Sequence, residues 1–139
     1  MAKKYLDQNG LAYLWDKVKD YIANAISPIN DKLTAETFTG TRSSSISGGA
    51  LNGVYDKASG TVRINLFWAN PSTNIGTSAT LFTVPAAYRP SATKTGSGIT
   101  RTSDNIPLAS TYSITSSGVV TQGATSSGRG GLAVIEYTL

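Results

Sequence analysis

Leu11, Trp15, Val18, Ile22, Ala25 and Ile29 recur at spacings of 4, 3, 4, 3 and 4. That is a heptad seam, the narrow apolar strip that helices bury against one another when they wind together. A helix lying on a globular core shows a wider apolar face. Tyr13, Leu14 and Tyr21 broaden the strip somewhat, so docking onto the chain's own second domain stays open, but the seam favours self-association. The spacing predicts an α-helical, coiled-coil stalk over residues 1–35, with those six residues as its oligomerisation face.

Local signals mark where the helix starts and stops. Asp7 is suited to the N-cap, where a carboxylate accepts orphan backbone N–H groups at the positive end of the helix dipole. Leu6 and Leu11 then occupy the two positions of a hydrophobic staple, and Gly10 is a weak point in the first turn. Pro28 disfavours helical geometry at Ser27, which predicts a first helix ending near residues 25–27. Ser27 could instead cap a new turn with Pro28 at its first position, carrying the seam on to Leu33.

Composition changes near Glu36. Beyond it the chain is rich in Gly, Ser and Thr, with short alternating apolar runs between turn signals, a mainly β signature. Asn52-Gly53 reads as a turn. The best hairpin joins residues 54–56 to 61–68 through Lys57-Ala58-Ser59-Gly60, with Val62, Ile64, Leu66 and Trp68 facing a core and Arg63, Asn65 and Phe67 facing away. A second hairpin runs from Thr111 through Ser116-Ser117-Gly118 to Gln122, and residues 132–139 form a last strand. Seven to nine short strands at this spacing predict an antiparallel β-sandwich or jelly-roll-like head over residues 36–139.

Absences bound the chemistry. The chain has no His and no Cys, which excludes Cys/His zinc sites, thiol nucleophiles, His-based triads and disulfides. No catalytic residue, metal or cofactor is assigned. Asp56, Asp104 and Glu136 are the carboxylates of the β region, and nothing in the sequence pairs any two as glycoside hydrolysis requires, so an enzyme is not expected. Lys and Arg number 12 against 8 acidic residues, a net charge of +4. They are scattered rather than striped, so no nucleic-acid partner is expected. No run nears the roughly 18 apolar residues of a membrane span, and Met1-Ala2-Lys3-Lys4 opens no signal peptide.

Three short matches are coincidental. Ser91-Ala92-Thr93-Lys94, Lys94-Thr95-Gly96 and Ser103-Asp104-Asn105 match the signatures of penicillin-recognising serine enzymes. One lysine would have to serve two motifs, and no helix carries the first. Gly96-Ser97-Gly98 and Gly128-Arg129-Gly130-Gly131 lack the context of phosphate loops and read as loops with left-handed backbone positions.

Phe82-Thr83-Val84-Pro85-Ala86-Ala87-Tyr88-Arg89-Pro90 resembles the VP-x-x-aromatic-x-P segment of phage receptor-binding protein heads. Ser116-Ser117-Gly118-Val119, the run from Thr125 to Gly130, and Tyr137 resemble the closing hairpin and last strand of such heads, among them those of lactococcal siphophage baseplate receptor-binding proteins. Residues from Lys4 to Trp15 are similar to the N-termini of small tail and fibre proteins of phages that infect Gram-positive hosts.

The resemblance implies a homotrimeric virion appendage, made in the host cytoplasm. Its N-terminus would dock on other tail or baseplate proteins, and its heads would bind host-envelope saccharide. Of the family's sugar-contacting residues, only Arg129 finds a match here. The candidate saccharide-binding residues are Arg129, Gln122, Ser113, Tyr112 and Arg101, although Tyr112 suits either a core or a surface role. A purely structural fibre, decoration or adaptor protein is the alternative expectation.

Overall fold

A computed structural model describes residues 7–123 and 128–139. Contacts divide the chain between Thr34 and Ala35, and each unit has its own logic.

The first unit is one helix, α1 (Gln8–Leu33). Asp7 caps it, accepting from the Gly10 backbone N–H at 2.7 Å; Leu6 lies outside the described residues. Asp16 and Lys19 pair at 2.7 Å, and Lys17 lies over the Tyr13 ring. At the far end the Thr34 hydroxyl and backbone N–H both donate to the Asn30 carbonyl. Contrary to the expected stop at residues 25–27, the helix runs through Pro28. A proline forfeits one backbone hydrogen bond, and here the turns on either side continue regardless.

No residue of α1 is buried. Trp15 is 62% exposed and Ile29 57%, and Leu11, Val18, Ile22 and Ala25 are exposed as well.

The second unit is mainly β. Its strands are β1 (Glu36–Thr39), β2 (Thr41–Arg42), β3 (Gly48–Asp56), β4 (Thr61–Ala69), β5 (Thr80–Thr83), β6 (Lys94–Arg101), β7 (Pro107–Ile114), β8 (Val119–Gln122) and β9 (Gly130–Thr138). All nine join one antiparallel sheet in the order β1-β3-β4-β9-β6-β7-β8-β5-β2. The two edge strands, β1 and β2, are separated only by Gly40. One short segment thus borders both edges, and the sheet is nearly closed, a topology that leaves little unpaired edge.

Strand alternation places the core. Val62, Ile64, Leu66 and Trp68 of β4 all face inward, as their period-2 spacing predicts. Across the β4–β9 ladder Val62 pairs with Tyr137, Ile64 with Ile135, Leu66 with Ala133 and Trp68 with Gly131. Small residues oppose the bulky pair because Tyr112 enters the same space. A Cβ on Gly131 would sit 2.1 Å from the Tyr112 hydroxyl.

Two glycine readings are corrected. Asn52-Gly53 is no turn but lies within β3, where Gly53 leaves room for the Phe38 ring; an added Cβ would approach its Cζ to 2.0 Å. Gly96, Gly98, Gly130 and Gly131 are strand positions of ordinary φ, not left-handed loop positions, and Gly128 joins an isolated bridge to Ile75.

The first strand is tied down by charge and aromatic stacking. Glu36 meets the Lys57 ammonium at 2.7 Å and accepts from the Tyr88 hydroxyl at 3.0 Å. Tyr88 stacks on Phe38 with ring centroids 4.1 Å apart, and the Tyr137 hydroxyl donates to the Tyr88 carbonyl. The hydrogen bonds from Lys57 and Tyr88 hold the Glu36 carboxyl below its ordinary value of 4.5. A depressed folded-state value contributes stability above the unfolded-state value and loses it as pH falls through the folded one. Acid titration of wild type should therefore show a loss of melting temperature below about pH 4.5 that is smaller in Glu36→Gln. Equal losses in the two proteins would remove Glu36 from the acid response.

Candidate functional site

The ends of β4, β6 and β9 converge on one corner of the sheet. Asn70 N–H donates to the Arg129 carbonyl at 2.7 Å, Arg129 N–H donates to the Arg101 carbonyl at 2.8 Å, and Ile75 and Gly128 exchange both backbone hydrogen bonds. These bonds fix Arg101 and Arg129 beside each other in the backbone. The neighbouring turn is closed by Asn105, whose φ of 62° is a left-handed value that Asn tolerates better than most residues. Asn105 Oδ1 accepts from Arg101 Nη1 at 3.0 Å, which holds that guanidinium in place.

A cleft of about 380 Å³ opens at this corner, lined among others by Phe67, Ile99, Arg101, Asn105, Arg129 and Leu132. Its apolar wall follows from register. Ala50 pairs with Phe67, Phe67 with Leu132, Leu132 with Ile99, and Ile99 with Ala109. All five therefore share the outer face in one row across five strands. Phe67 is 55% exposed and Leu132 50%, an arrangement typical of surfaces that meet something.

Among the described residues no carboxylate lines the cleft. The ion pairs among the described residues, Lys19–Asp16 and Lys57–Glu36, include neither Arg101 nor Arg129.

Beneath the cleft lies a buried polar network. The Tyr112 hydroxyl donates to the Ile99 carbonyl at 2.9 Å, accepts from Trp68 Nε1 at 3.2 Å and lies 3.0 Å from the Thr100 hydroxyl. Thr100 reaches Gln122 Oε1 at 3.4 Å, and Gln122 Nε2 donates to the Ile75 carbonyl at 3.1 Å. Buried polar groups joined in this way rigidify what lies above them. Here the chain leads from Trp68 to Ile75, which in turn brackets Gly128 next to Arg129.

The five candidate residues thus separate. Arg101 and Arg129 come together in the cleft. Tyr112 and Gln122 do not belong to a binding surface: both are core residues at 0% and 1% exposure, because their polar ends are satisfied internally. Ser113 faces outward further along β7, opposite Thr95 and Thr121, away from the cleft. Thr125, Ser126 and Ser127, which the second resemblance includes, lie outside the described residues.

Phe67 and Leu132 were not among the candidates. Phe67 alternates with inward Leu66 and Trp68, so its exposure was readable, but its meeting with Leu132 and Arg129 depends on the β4–β9–β6 order.

Among the described residues no helix is long and apolar enough to cross a membrane, and Lys94-Thr95-Gly96 lies within β6 rather than in any catalytic loop. Compared with known proteins, the chain matches no family model and no curated protein.

Proposed function

We propose that this chain is a phage virion appendage, a tail-fibre or baseplate receptor-binding protein. It trimerises through α1 and adheres to host-envelope saccharide through the cleft of its β unit. The observation that carries assembly is the exposure of every apolar residue of α1. An isolated helix is marginal in water, and most helical stability comes from burying an apolar face. A heptad seam is met best by further copies of itself.

The supporting observation for adhesion is an aromatic and aliphatic wall beside two guanidiniums that form no ion pair among the described residues. Sugars present apolar ring faces edged with hydroxyls, which such a surface fits without any chemistry on the ligand. Weak sites of this kind gain strength when several copies bind one polymer. The sequence resemblance points the same way, to the N-terminus docking on other virion proteins.

Binding of labelled full-length protein to a panel of Gram-positive envelope preparations tests the adhesin. Saturable binding is expected, with Arg129→Ala weakening it at least about tenfold, the scale of one charge-assisted hydrogen bond. Absence of binding to every preparation would favour a purely structural fibre, decoration or adaptor protein.

A further inference from the structure

Among the described residues no group of His, Cys, Asp and Glu could hold a metal ion, so the charge of the cleft is the informative feature. We infer that the cleft takes the anionic group of an acidic saccharide, a carboxylate or a phosphate, between Arg101 and Arg129, with an apolar sugar face on Phe67 and Leu132. The inference rests on the saccharide-binding reading above and adds to it the chemical class of the ligand.

Three observations carry it. The cleft contains two guanidiniums and no carboxylate, and neither arginine forms an ion pair among the described residues. Guanidinium presents a planar fork of N–H donors that matches carboxylate and phosphate oxygens. Arg101 spends one N–H on Asn105 Oδ1, which orders its side chain and leaves its other donors for a ligand. The backbone bond between Arg129 N–H and the Arg101 carbonyl places both residues at one corner, and with Arg101 already held by Asn105 the Arg129 side chain is the one a ligand has to order.

The adjoining wall supplies what the arginines do not. Phe67 and Leu132 are half exposed and paired in register, a flat apolar patch against which a ring can lie. A neutral sugar would use the wall alone and leave two cationic groups facing unchanged solvent. An oxyanion attached to a ring uses both halves of the cleft at once. The pocket at Arg63, on the same outer face, is lined by Asp56 and Glu136, whereas Asp104, in the turn between Ser103 and Asn105, does not line the Arg101–Arg129 cleft.

Isothermal titration of the full-length protein distinguishes the sources. The probes are trigalacturonate for carboxylate, a glycerol-phosphate trimer for phosphate, and neutral maltotriose, each at low and high salt. At least one acidic probe should bind, more weakly at high salt because exposed charges are screened. Which acidic probe binds more tightly assigns the oxyanion.

Arg101→Ala and Arg129→Ala should each weaken that binding at least about tenfold, and Arg63→Ala should leave it unchanged. Melting temperatures equal to wild type show that the arginine variants fold. The same variants are compared on whole envelope preparations. Binding there that survives both arginine changes but is lost in Phe67→Ala overturns the anion assignment and leaves saccharide adhesion standing. Maltotriose binding as tightly as either acidic probe overturns it too. Failure of wild type to bind any preparation or probe overturns both readings.

Discussion

Tyr112→Ala is expected to lower the stability of the β unit by about 3–5 kcal/mol, the range for removing a fully buried aromatic ring. Among the described residues Tyr112 is the largest fully buried side chain, and its hydroxyl joins Trp68, Ile99 and Thr100. Truncation would leave a cavity and strip the Trp68 indole N–H of its partner at once. The surroundings have little freedom to collapse, because Gly98 and Gly131 are already closed against the ring: an added Cβ on Gly98 would lie 2.8 Å from Tyr112 Cε2. Urea unfolding followed by tryptophan fluorescence, to which Trp15 and Trp68 both contribute, measures the loss. Tyr112→Phe separates packing from hydrogen bonding. It should cost about 1–3 kcal/mol, the penalty for leaving buried donors unsatisfied. A loss under 1 kcal/mol for Tyr112→Ala would contradict the buried placement of the ring.

The second large effect concerns α1. Val18 and Ile22 are successive seam positions, both exposed within the single chain. Replacing them together, Val18→Asp with Ile22→Asp, would bury four or more carboxylates per assembly if the helices wind together. Burying a charge without a partner is among the most costly changes a protein can suffer. Helical ellipticity should therefore fall sharply, since a helix deprived of its packed face is marginal in water. The β unit should keep its own unfolding transition, because it has a buried core of its own, from Phe38 to Tyr137. Exposed-surface substitutions ordinarily change stability by no more than about 0.5 kcal/mol, so an unchanged helical signal would mean the seam faces solvent in the native protein.

Some of this architecture is legible in the sequence and some is not, and the division is physical. Asp7 as cap, the inward set from Val62 to Trp68 and the two hairpins are local: each depends on residues within a few positions of one another. Tyr112 and Gln122 were readable as well. Tyr112 shares strand parity with Ile114, and Gln122 with Val120, so both point inward, and polarity alone suggested a surface role for Gln122. Asn52-Gly53 misled because that glycine serves a ring fifteen positions earlier in the chain, Phe38, rather than a turn. Pro28 misled because a proline removes one hydrogen bond and need not end a helix.

The cleft itself was half visible. Arg101 and Arg129 were candidates on residue type and on resemblance, but their meeting depends on β6 and β9 lying side by side, which no local pattern specifies. The same order brings Phe67 to Leu132, turning an isolated exposed aromatic into part of a wall. Non-local strand pairing of this kind decides the site, whereas local alternation decides only which residues are eligible for it.

Light scattering coupled to size exclusion of the full-length chain, at micromolar concentration and below, tests assembly through α1 most directly. The expected mass is three times the 14.5 kDa of one chain, and it should revert to a single chain in the Val18→Asp, Ile22→Asp double variant. A wild-type protein that elutes as one chain at every concentration, with its helix intact, would contradict it.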